Sequence, residues 1–216
     1  MFIGCRSKTK SPSTDSISSS VSAKDQSAEL IQKFKPIIQG VWVKSDYIDK
    51  VIKTKSPLKA MGEASGITTM VFNTDKISGD SLKVGVGWEN HEGGELTLKF
   101  EQGLFKNSLK VYLGTDTSGG FHEIGLSFDK RDTTLVLYHF NKHNKVIEKI
   151  SYLKVYNHIG DDLGSAIHYI INKQIIAGTY STKDSIGIPS PVNFTTEGNI
   201  SGFLGFKTYY LNIDIN

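Results

Sequence analysis

From about residue 38 onward, apolar side chains fall on every second position. Leu82, Val84, Val86 and Trp88 share one face of an extended segment, and Lys83, Gly85 and Gly87 take the other. Leu96, Leu98 and Phe100 oppose Glu95, Thr97 and Lys99; Leu109, Val111 and Leu113 oppose Lys110 and Tyr112; Ile124, Leu126 and Phe128 oppose Glu123, Gly125 and Ser127. Each run stops at residues suited to tight turns, among them Ser78-Gly79-Asp80, Glu92-Gly93-Gly94, Lys106-Asn107 and Ser118-Gly119-Gly120. The pattern predicts strands over 38–46, 67–73, 80–88, 94–101, 107–114, 121–128, 132–140 and 145–156. The links are too short for parallel crossovers, so sequence neighbours pair antiparallel.

A mainly β, up-and-down sheet of this length, apolar on one face, hides that face and its edges together by closing into a barrel. A two-sheet sandwich is the alternative. Gly85, Gly87 and Gly125 fall on the outward face, where they ease the coiling.

Two stretches break the alternation. Residues 49–64 place Ile48, Val51 and Ile52 at helical spacing ahead of Ser56-Pro57, which predicts a short helical lid with Pro57 at a helix start. Beyond Asp161, Leu163, Ala166, Ile167, Ile170, Ile171 and Gln174 trace one face at period 3.6, an amphipathic helix with Asp161 as its cap. Strands return over 175–182, 190–196, 198–203 and 206–215, to extend the barrel or to form a sheet beside it.

Ahead of the strands, seven of the twelve residues Ser11–Ser22 are serine, too polar to offset the entropy of ordering. Residues 1–36 therefore read as an unfolded tether, followed by a barrel with its helix over 37–175 and further strands over 176–216. The 216 residues carry one cysteine, Cys5, so neither a disulfide framework nor a thiolate zinc site is available. The net charge of +3 is dispersed, without the concentrated basic face that nucleic acid requires. No apolar run reaches the roughly 20 residues of a membrane-spanning helix.

Catalytic signatures are missing: there is no Gly-x-Ser-x-Gly elbow, phosphate loop or His-Glu-x-x-His helix. His139 and His143 straddle a strand end and a turn without a third ligand nearby. His91 and Glu92 fall in a turn, His122 and Glu123 point to opposite faces of one strand, and His158 and His168 flank and join the later helix. Paired loop carboxylates such as Glu89 and Glu92 would suit a glycosidase only at a fixed spacing that sequence does not reveal. The expectation is a non-enzymatic protein without metal or cofactor.

Two segments echo each other at an offset of 138: Gly40-Val41-Trp42 and Gly178-Thr179-Tyr180. The first resembles the Gly-x-Trp signature on the opening strand of the lipocalin and fatty-acid-binding (calycin) superfamily. The order of features is similar too, a signature strand, a meander of hairpins and a helix after the eighth strand. Phe2-Ile3-Gly4-Cys5 resembles the end of a bacterial lipoprotein signal, with Cys5 as the lipidated residue; the plainer reading is a tail with an ordinary thiol. Taken whole, the chain resembles a lipocalin-like lipoprotein of a Gram-negative cell envelope. The resemblance implies a small hydrophobic or amphipathic ligand inside the barrel and membrane contact through the anchor alone. The wall would be Trp42, Val84, Val86, Trp88, Leu98, Phe100, Val111, Leu113, Leu126 and Phe128. The same side chains could instead fill the barrel and leave a structural or protein- or glycan-binding module.

Overall fold

A computed structural model describes residues 23–89, 92–113, 119–129, 132–157, 165–183 and 186–213. Eight antiparallel strands run β1 Gly40–Lys44, β2 Ile67–Phe72, β3 Ser81–Trp88, β4 Glu92–Gln102, β5 Ser108–Tyr112, β6 Phe121–Asp129, β7 Asp132–Phe140 and β8 Val146–Tyr156. They pair in sequence order, and β8 pairs back onto β1, Val43 opposite Leu153, so the sheet closes into a barrel and the sandwich is excluded. Register shifts at Val41/Trp42, Ile67/Thr69, Lys99/Gln102 and His139/Phe140 supply the local kinks that closure requires.

Alternation sorts the side chains into two cores. The inward set, Trp42, Met70, Phe72, Leu82, Val84, Val86, Leu96, Leu98, Phe100, Leu109, Val111, Ile124, Leu126, Leu135, Leu137 and Tyr152, forms the interior. The outward Val41 and Val43 belong to a second cluster on the outer wall.

The first correction to the sequence reading lies at the N-terminus. Residues 23–36 belong to a helix, α1 Ala23–Ile38, rather than to a tether. Leu30, Phe34 and Ile38, four residues apart, enter the interior cluster and close one end of the barrel. The barrel itself holds the end of α1: the Trp42 indole N–H donates to the Ile38 carbonyl at 2.8 Å, and Lys154 Nζ to the Ile37 carbonyl at 2.6 Å. Those are two of the carbonyls that a helix C-terminus leaves unpaired. Residues 1–22, Cys5 included, lie outside the described residues.

The helical cover is divided. α1 closes an end, whereas α2 Ser45–Thr54 and α3 Pro57–Ala60, which link β1 to β2, turn their buried Tyr47, Ile48, Val51 and Ala60 onto the outer wall. Ser56 caps α3, accepting from the Lys59 amide, with Pro57 in the first turn as the sequence predicts. α4 Ser165–Ile175 packs Ala166, Ile167, Ile170 and Ile171 into the same outer cluster. Asp161, expected as its cap, lies outside the described residues.

The last strands do not extend the barrel. β9 Gly178–Lys183, β10 Pro189–Phe194 and β11 Ile200–Ser201 form a separate sheet in the order β11-β10-β9. The strand expected over 206–215 is not a strand across its described part: one bridge, Asn199 to Thr208, is followed by irregular chain. Its alternation is used all the same, because Leu211 and Ile213 pack into the outer cluster.

Candidate functional site

The two ends of the barrel differ. At the α1 end, Phe34, Ile38, Trp42, Phe72 and Phe100 are buried in the interior cluster; toward the other end Tyr152 crosses to β2, donating to the Ile67 carbonyl at 2.9 Å. Burial holds that phenol far above its usual titration range, and it depresses Lys154, whose ammonium lies 4.9 Å from the Trp42 ring centre. The α1 end is filled with side chains.

At the opposite end five inward positions are only half-buried, Trp88, Leu113, His122, His139 and Ile150, while Ile67 beside Trp88 is buried. His122 and His139 face each other across β6 and β7, with ring centres 4.3 Å apart and planes nearly parallel. Solvent therefore reaches a rim of apolar and imidazole groups at this end.

One flank of that rim is unzipped. The ladder between β5 and β6 has four residue pairs, from Ser108–Gly125 to Val111–His122. Along the end of this ladder and past it, a cavity of ≈ 490 Å³ is lined by Gln102–Leu104, Lys110–Leu113 and Gly120–Glu123. Its volume lies within the range of small-molecule sites, and its lining has the usual make-up, apolar with a few polar groups. Leu104, Tyr112, Leu113 and Phe121 supply the apolar surface, and Gln102, Lys110, His122 and Glu123 the polar atoms.

Those polar groups are engaged within the fold, Gln102 Nε2 donating to the Phe105 carbonyl at 2.5 Å and the Ser108 carbonyl at 3.1 Å. Glu123, on the outward face yet 1% exposed, accepts from Ser108 Oγ at 2.6 Å and from the Leu104 amide at 2.7 Å. It thereby ties the β4–β5 turn down over the wall, where Phe105 packs on Tyr138 at 4.8 Å. Lys110 pairs with Glu101 at 2.9 Å, and that hydrogen bond raises its ammonium above the usual lysine value. The floor of the cavity is thus built by ordinary fold-holding contacts and leaves a rigid concavity.

Of the ten expected wall residues, Trp42, Val84, Val86, Leu98, Phe100, Val111 and Leu126 are buried in the interior cluster, and Trp88 and Leu113 stand at the open rim. Phe128 is a correction: it is 56% exposed. β5 begins at Ser108 opposite Gly125, so at Phe128 β6 has only β7 beside it and projects past the wall. Val111 and Leu113 are the two that also line the cavity.

The sequence reading missed the seam. Its sign was the brevity of the apolar run Leu109–Leu113 ahead of the long glycine-rich link to Phe121. Of the remaining candidates, His143 is exposed in the β7–β8 turn and His168 packs on Tyr210 at 4.7 Å, while His91 and His158 lie outside the described residues. Among the described residues no three His, Cys, Asp or Glu side chains converge as metal ligands. Compared with known proteins, the chain matches no family model, no curated protein and no solved structure.

Proposed function

We propose that the chain is a non-catalytic binding module that takes a small amphipathic molecule at the β5–β6 seam and the open rim of its barrel. The seam cavity carries this reading: apolar walls from Leu104, Tyr112, Leu113 and Phe121 would hold a hydrocarbon or aromatic body, and Gln102 and His122 would meet its polar end. The proposal includes the anchor: lipidation at Cys5 would hold the barrel at a bacterial envelope membrane, as the lipocalin-like lipoprotein resemblance implies.

A second reading, a filled barrel that acts as a protein- or glycan-binding module, is favoured by the complete burial of Phe34, Trp42, Phe72 and Phe100 at the α1 end.

Native mass spectrometry of the protein from its own host, and after exposure to fatty acids and other amphiphiles, separates the two. The expected result is a retained small molecule whose occupancy falls in Leu104→Asp and Tyr112→Asp, both exposed positions whose change leaves the fold intact. An empty protein that accepts no amphiphile overturns the first reading in favour of the second.

A further inference from the structure

The C-terminal sheet sets two turns side by side. β9 and β10 pair from Gly178–Phe194 to Lys183–Pro189, so Ile186 and Ile188, just ahead of β10, stand at the Pro189 end. β11 pairs Ser201 with Asn193, and the Ile200 amide donates to the Lys207 carbonyl, which closes a hairpin whose tip, 203–206, points to that same end. Gly202, next to the tip, packs directly on the Pro191 carbonyl.

Both tips are apolar and stand in solvent. Ile186 is 78% exposed and Leu204 85%, with Ile188, Phe203 and Phe206 also exposed. Phe203 and Phe206 stack on each other at 6.0 Å. Leu204 is held at a φ of 46°, a left-handed conformation that a leucine adopts at a cost. Two unfavourable terms therefore coincide at Leu204, backbone strain and exposed hydrocarbon. An exposed lysine flanks each tip, Lys183 at the end of β9 and Lys207 after Phe206.

We infer that these paired tips insert into the interface of a lipid bilayer bearing anionic headgroups. Protruding apolar turns need no shaped partner to be buried in an acyl–headgroup boundary, and adjacent lysines then meet phosphate. A second copy of the chain fits less well, because a two-fold contact through the tips would set the lysines of one copy against those of the other.

The test uses the full chain with Cys5→Ser, so that acylation makes no contribution. Flotation is measured with vesicles of phosphatidylcholine alone and of phosphatidylcholine mixed with phosphatidylglycerol. The protein is expected to float with both and more strongly with the mixed vesicles. Ile186→Asp with Leu204→Asp should lower the bound fraction by roughly tenfold or more with melting temperature unchanged. Lys183→Gln with Lys207→Gln should remove only the preference for anionic vesicles. Absence of flotation, flotation indifferent to the aspartate pair, or a self-association that this pair abolishes in the absence of flotation would each overturn the inference. Amphiphile occupancy at the seam is scored separately, so either proposal can fail without the other.

Discussion

Gly40 adopts a φ of +114°, and a methyl group there would overlap the carbonyl oxygen of Tyr156, where β1 meets β8 to close the barrel. Gly40→Ala is therefore expected to lower stability by about 2–4 kcal/mol, combining left-handed strain with a forced separation of the closing strands. A urea titration that finds less than about 1 kcal/mol would show that this contact is dispensable. Such a result bears on the fold alone, because the contact concerns only how β1 packs on β8. At this scale the sequence was readable where a side chain's neighbours lie on both adjacent strands, as for Val86 and Leu98. It misled at Phe128, because alternation reports the face of a strand and not whether a facing wall exists.

Among the elements, the meander was legible almost throughout, since period-two patterning and turn residues act locally. α1 was not, although Leu30, Phe34 and Ile38 recur at four-residue spacing. The polar composition just before them hid a helix whose stability comes from the barrel it plugs rather than from its own sequence. Phe34→Ala should accordingly cost about 3–5 kcal/mol, as for any fully buried phenylalanine, and should expose the interior to 1-anilinonaphthalene-8-sulfonate. A cost below about 1 kcal/mol would show α1 to be a loosely held appendage. The late strands were misassigned for a related reason: Leu211 and Ile213 alternate because they pack on the outer cluster, not because a ladder pairs them.

The contact between β8 and α4 gives an alkaline signature. Tyr156 packs against Tyr169, ring centres 4.8 Å apart and planes tilted by 55°, and its phenol is pushed up to about 12, first by burial and then by Tyr169 and Glu197. The folded state thus keeps a proton that the unfolded chain gives up near pH 10. The resulting stabilisation is whole below that pH and falls as pH climbs toward 12. Melting temperatures between pH 9 and 12 should drop less steeply in Tyr156→Phe than in the parent; parallel curves would place the alkaline sensitivity elsewhere, with Tyr152 the next phenol to test.

At the scale of the molecule, the barrel is asymmetric: one end is filled by α1 and aromatic side chains, and the other is half open, with a cavity where β5 and β6 part. Closure of the sheet could be argued from patterning because hiding one apolar face is a global demand with few solutions. The seam could not, because it depends on where one ladder stops. Amide chemical-shift mapping during titration with a fatty acid series tests the functional account most directly. Shifts are expected to centre on Leu104, Tyr112, Leu113, Phe121 and His122, with the amides around Trp42, Phe72 and Phe100 unmoved. Shifts centred on that packed end, or none anywhere with any amphiphile, would contradict it.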